Sequence, residues 1–145
     1  MKGSYFLIIL VERAKDVKTK RRIFSLQRGY YVYVGSAMNS LEKRVARHFR
    51  KDKKLHWHVD FLLKEADLLE AYLIPSEERL EERLSREVAR FARGVEGFGA
   101  SDLQGVHTNL YYFGEADPKK ELENLLSNLG LRWKRVKSEG DIMET

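Results

Sequence analysis

Residues 4–11 are almost unbroken apolar, about the length of one strand, and a strand apolar on both faces belongs in the middle of a sheet. Charge then takes over, so residues 13–22 are predicted to be a connector, with a short second strand at 23–26. From Gly29 to Val34 aromatic and β-branched residues alternate, which predicts a third strand. Three strands joined by short links predict an antiparallel meander. Gly35, Ser36 and Ala37 allow a tight turn. Beyond it, Leu41, Val45 and Phe49 recur at i, i+4 and i+8, predicting a helix over residues 40–50 capped by Asn39 or Ser40. Arg44 and His48 fall on the shoulder of that helix's apolar stripe.

Residues 51–54 read as an exposed basic loop. Residues 56–64 carry two patterns: Trp57, Phe61 and Leu62 fit a helical face, whereas His56, His58 and Asp60 alternate as on a strand; the helix is preferred. A strand at 68–74 is closed by Pro75, and Ser76 is predicted to cap a helix that ends near Gly94 and carries Leu80, Leu84, Val88 and Phe91 on one face. A glycine-rich loop (94–105), a strand (108–113), a helix (118–129) and an edge strand (131–136) follow. The pattern predicts an α/β (α+β) fold in which a small central antiparallel or mixed sheet is flanked by helices. Residues 1–136 form one domain with a C-terminal helix/strand extension, and 137–145 are expected to be a flexible tail.

With 145 residues and no cysteine, the chain is long enough for a real core and has neither disulfides nor thiolate metal sites. No apolar run is long enough to span a bilayer and no secretion signal is visible, so the expected compartment is the cytoplasm, with no membrane partner. The net charge is +5, but its distribution matters more. Residues 13–54 hold 14 Lys and Arg against Asp16, Glu42 and Asp52, a local balance of +11, which leaves −6 for the rest. A basic half on an otherwise acidic chain points to a polyanion, and nucleic acid is the expected partner.

A cationic helix edge beside a strand end, across a small-residue turn, is a place to hold a phosphate. Glu87 lies at the margin of the buried stripe of its helix, with Glu81 on the opposite margin and Glu82 facing out. His56, His58 and Asp60 also present an H-x-H pattern with a carboxylate, which is compatible with zinc, although no fourth ligand stands at a familiar spacing.

Tyr33-Val34-Gly35, followed by Leu41-Glu42-Lys43-Arg44 and preceded by Gly3-Ser4-Tyr5 at the head of the first apolar run, resembles the signature of the GIY-YIG nuclease superfamily. Arg47-His48, the 56–60 block and Gly97-Phe98-Gly99-Ala100-Ser101-Asp102 are similar to its short stand-alone prokaryotic branch, sometimes labelled Uri-type endonucleases. The resemblance implies a metal-dependent endonuclease that hydrolyses DNA, in preference to RNA, to leave a 5′-phosphate. Tyr5 and Tyr33 would lie by the attacking water, their phenols acidified by Arg44 and Lys43. Arg44 would grip the scissile phosphate, His48 would contact that phosphate or protonate the leaving group, and Glu87 would hold one Mg²⁺ or Mn²⁺. Lys43, Arg47, Arg50, Lys51, Lys53 and Lys54, with His56 and His58, would bind the nucleic-acid backbone. Where the branch has cysteines and a histidine, this chain has Leu103, Gln104 and Asn109, and Asn109 would suit a place near the metal. Two other readings stay open: a non-catalytic nucleic-acid binder of the same fold, and an adaptor that uses the 76–93 helix for protein contact.

Overall fold

The apolar run 4–11 becomes β1 (Gly3–Val11), and it lies inside the main sheet as its hydropathy requires. In the computed structural model, which describes residues 1–99 and 107–143, β1 pairs antiparallel with β4 (Gly29–Ala37) on one side and with β5 (Asp67–Pro75) on the other. Beyond β4 lie β7 (Leu110–Gly114) and β6 (Arg93–Gly94), and beyond β5 lies β8 (Lys134–Val136), giving six strands in the order β6-β7-β4-β1-β5-β8.

Both faces of this sheet are covered, which is why its central strands are apolar on both sides. Tyr5, Leu7, Ile9, Tyr31 and Tyr33 point to the face packed by α1 (Leu41–Phe49) and α2 (His58–Leu63). Phe6, Ile8, Val32, Val34, Tyr72 and Ile74 point to the face packed by α3 (Glu81–Val88) and α4 (Lys119–Asn128). The fold is therefore mixed α/β, an antiparallel sheet flanked by helices, and among the described residues no helix is long and apolar enough to cross a membrane. Leu84 and Val88 of α3 are fully buried against that face of the sheet.

Four expectations change. Gly35, Ser36 and Ala37, expected to turn, continue β4 opposite Tyr5, Ser4 and Gly3. The predicted meander is absent, because β2 (Lys15–Lys18) and β3 (Ile23–Leu26) pair with each other as a separate hairpin instead of leading into β4. Only Val17, Phe24 and Leu26 of that hairpin are buried, so it lies against the α1/α2 side of the core and does not enter the sheet. The helix predicted to start at Ser76 starts five residues later. The Ser76 amide instead donates to the Lys2 carbonyl (3.0 Å), continuing the β1–β5 ladder, and its hydroxyl accepts from Glu78 N (3.1 Å). Residues 139–143, expected to belong to a tail, form α5 (Glu139–Met143), with Ile142 buried and Glu139 paired to Arg50 at 2.7 Å. Residues 100–106, which include Leu103, Gln104 and half of the predicted glycine-rich loop, lie outside the described residues.

Candidate functional site

Antiparallel pairing of β1 with β4 sets Tyr5 opposite Gly35 and Leu7 opposite Tyr33, so the two tyrosines meet at one end of the sheet. Their ring centroids are 6.4 Å apart. Gly35 is required by contact: a Cβ there would drive into the Tyr5 ring and hydroxyl. Ser40 caps α1 by accepting from Lys43 N (3.2 Å), and this places Arg44 and His48 on the inner side of the helix. Arg44 reaches the carbonyl of Ser36 (3.1 Å), and its guanidinium lies 4.4 Å from the Trp57 ring centre. Cation–π contact and the carbonyl together fix the guanidinium plane, leaving its remaining N–H groups for a ligand.

These residues line a cleft of about 370 Å³, whose far wall is Glu81 at the start of α3 and Asn109 just before β7. Ser36 Oγ donates to Glu81 Oε1 (2.8 Å) and Asn109 Nδ2 donates to Glu81 Oε2 (3.1 Å). Ser36 thus orients both the arginine, through its carbonyl, and the carboxylate, through its hydroxyl. Asn109 Oδ1 is buried with no hydrogen-bond partner in the structure. A carboxylate beside an unpartnered amide oxygen is a hard-oxygen donor set of the kind that Mg²⁺ or Mn²⁺ prefers. Among the described residues no three His, Cys, Asp or Glu side chains cluster as ligands.

The structure does not bring Glu87 to this cleft. Glu87 pairs with Arg90 at 3.3 Å and lines a different cavity with Phe91, Leu125 and Leu129. The carboxylate that lines the cleft is that of Glu81, the first residue of α3, at the sheet end that holds the tyrosines. Glu87 follows it by about 9 Å along the axis and about 120° around it.

His48 is buried behind Tyr5 and does not line the cleft; it would reach a phosphate only through the tyrosine. The Tyr5 hydroxyl and His48 Nε2 are 2.8 Å apart. Burial, reinforced by the Lys53 ammonium, pulls the His48 pKa down to about 3, so the ring is neutral and its Nε2 shares a hydrogen bond with the Tyr5 hydroxyl. Burial likewise pushes both phenols well above their ordinary range, and Arg44 offsets only part of this. The tyrosinate base expected from the sequence is therefore not the resting state of the site.

The cations expected to bind phosphate divide sharply. Arg47 forms a two-pronged pair with fully buried Asp60 (2.9 and 3.0 Å) and donates to Lys54 O (2.7 Å), while stacking 4.6 Å from the Trp57 ring centre. Asp60 Oδ2 also accepts from the amides of His56 (2.8 Å) and Trp57 (2.9 Å), which engages the carboxylate of the H-x-H pattern; against the penalty of burial, the Arg47 guanidinium and then these amides hold its carboxyl below the ordinary range. Lys53 Nζ donates to Arg47 O (3.1 Å) and His48 O (2.9 Å), capping α1, and Lys51 Nζ donates to Leu63 O (3.0 Å) and Ala66 O (3.2 Å), just past α2. Arg50 is held by Glu139, Lys43 and Lys54 face solvent away from the cleft, His56 rests on Trp57, and only His58 among the predicted binders lines the cleft. Sequence reading missed the roles of Glu81, Ser36 and Trp57. Its only signals for them were the opposite-margin position of Glu81 and the small-residue turn.

A pH dependence follows. Between about pH 6.5, the value of an exposed histidine, and about pH 3 the unfolded chain binds a proton that folded His48 refuses. Stability is thus fully present above pH ~6.5 and declines as pH falls through that window. The melting temperature should drop between about pH 6.5 and 4.5, before most carboxylates titrate, with a smaller share from His58, whose pKa is also lowered by burial. His48→Gln should flatten most of that slope. A variant slope equal to the wild type's would mean that folded His48 binds its proton normally.

A family model described as a domain of unknown function, DUF123, matches residues 4–131 of the chain. No curated protein and no solved structure matches it.

Proposed function

The chain belongs to the DUF123 family, and on the geometry of its own cleft we propose that it is a metal-dependent endonuclease of GIY-YIG type that hydrolyses DNA phosphodiester bonds. The observation that carries this reading is convergence. Tyr5 from β1, Tyr33 from β4, Arg44 from α1, Glu81 from α3 and Asn109 before β7 line one cleft, although they span more than a hundred residues of sequence.

Arg44 binds two non-bridging oxygens of the scissile phosphate and strengthens its hold as charge builds on them. Tyr5 orients the attacking water and takes its proton while passing its own to His48 Nε2, so no tyrosinate forms and the positive charge ends on the imidazole. The negative phosphodiester in the cleft makes His48 more basic than it is in the ligand-free protein. Tyr33 packs against Tyr5 and His48 and walls the relay from bulk solvent. Attack in line with the 3′ oxygen breaks the P–O3′ bond, leaving a 5′-phosphate and a 3′-hydroxyl. Glu81 and Asn109 Oδ1 are the residues that would hold Mg²⁺ or Mn²⁺, which when bound neutralises charge on the phosphate oxygens.

Supercoiled DNA incubated with the protein and Mg²⁺ or Mn²⁺ should be nicked, and a chelator should stop the reaction. DNA that is retained by the protein yet never cut under any divalent ion would sink the enzyme and favour the non-catalytic binder. The neutral, buried Tyr5–His48 pair is the feature that supports that second reading.

A further inference from the structure

The loop cations that look most suited to phosphate are held by the protein's own carbonyls, which moves the question to the β2–β3 hairpin. Its root is fixed. Val17, Phe24 and Leu26 are buried, Ser25 Oγ donates to Asp16 Oδ1 (2.8 Å), and Lys15 Nζ donates to Glu65 O (2.7 Å). Thr19 closes the turn on Arg22, its amide (2.8 Å) and its hydroxyl (3.1 Å) both donating to the Arg22 carbonyl. The Arg22 guanidinium lies 4.9 Å from the Phe24 ring centre and fills the space where a Cβ on Gly97 would stand. Phe24 packs edge-on against Phe98 (5.0 Å between centroids) and His58 (5.9 Å), and His58 and Gly99 line the cleft. The hairpin therefore stands on the cleft wall. Its charge reaches that wall, since burial first and the Arg22 charge second lower the His58 pKa.

At the tip, Lys18, Lys20 and Arg21 are exposed and make no hydrogen bond or ion pair with any described residue. The hairpin's one carboxylate, Asp16, is bonded to Ser25. A rigid root with an uncompensated cationic tip differs from a solvated charge run, in which Asp and Glu are interspersed.

We propose that this tip, Lys18, Lys20 and Arg21, is the docking surface for nucleic-acid phosphates flanking the one seated in the cleft. The inference rests on the reading of the cleft as a phosphodiester site and adds a substrate class: an extended nucleic-acid backbone, gripped at two separated points, instead of a short phosphodiester held by the cleft alone. Ion pairs to phosphate release counterions, so their number is read from the salt dependence of binding.

The test compares wild type with a triple Lys18→Ala, Lys20→Ala, Arg21→Ala variant. A control, Lys120→Ala, Arg132→Ala, Lys137→Ala, removes the same charge from exposed positions in the C-terminal part of the chain. Binding of a ~20-base-pair duplex is titrated across salt concentrations, and hydrolysis of bis(p-nitrophenyl) phosphate is followed in parallel. The tip variant should bind the duplex at least ~10-fold more weakly at ~0.1 M salt, with a log–log salt slope shallower by about two to three units. The control should change little, and the small diester, which has no flanking phosphates, should be cut at the wild-type rate by both. An unchanged affinity and slope in the tip variant, or an equal loss in the control, overturns the docking surface. Tip-dependent binding without any nicking supports it and removes the hydrolase; nicking with tip-independent binding does the reverse.

Discussion

Glu81→Gln should abolish metal-dependent cleavage, to at most ~10⁻³ of the wild-type rate, whereas Glu87→Gln should cut normally. Glutamine keeps the shape of the side chain and the acceptor for Ser36 Oγ, and a turn of the Asn109 amide lets Oδ1 accept from the new Nε2, so the fold and the cleft wall survive. What disappears is the formal charge that anchors a divalent cation beside Asn109 Oδ1 and, with it, electrostatic help at the phosphate. DNA affinity should hold or rise slightly, because a negative charge has left a site for a polyanion. Glu87 pairs with Arg90, just past the end of α3, in a different cavity, and an exposed pair of that kind is worth little. Cleavage assays on both proteins at saturating Mg²⁺ decide the matter. Equal activities would remove Glu81 from the site, and the reverse order would restore Glu87.

Arg44→Lys should lower single-turnover cleavage by ~10²-fold or more, the scale of losing one preorganised charge-stabilising donor, while changing DNA affinity by less than about tenfold. A lysine keeps the charge but cannot span two phosphate oxygens, nor can it lie flat on Trp57 while bonding the Ser36 carbonyl. The matched control is Lys43→Ala, one position earlier and solvent-facing, which should cut near the wild-type rate at saturating enzyme. Arg47 is unsuitable as a control: removing its guanidinium strands the buried Asp60 carboxylate, and the damage would spread to α2 and Trp57. Wild-type turnover in Arg44→Lys would reduce this arginine to general basic surface.

Whether a feature was legible in the sequence depended on how local its cause was. That Tyr5 and Tyr33 lie in strands, and Arg44 on the inner side of its helix, follows from short-range periodicity, although Tyr33 sits in the middle of β4 and not at its end, and the direct pairing of β1 with β4 then brings the tyrosines together. Glu81 was not legible because the start of α3 is decided remotely. The Ser76 amide is drawn to Lys2, seventy-four residues away, and residues 76–80 are lost to the helix. The basic loop misled for a related reason: nothing in a run of lysines shows that two of them point at carbonyls at the ends of α1 and α2. The hairpin was misread as part of the sheet because a four-residue strand with one buried face has the same pattern wherever that face is covered.

The central place of β1 has a consequence for how the molecule comes into being. Its partners, β4 and β5, begin at residues 29 and 67, and the cleft is complete only when Asn109 has joined it. Contacts of such sequence separation are slow to form, since loop closure must be met before they stabilise anything. On a ribosome adding roughly 5–20 residues per second, the first strand made would wait several seconds for the last wall of the cleft. Whatever chemistry the cleft carries is therefore switched on at a late stage of synthesis.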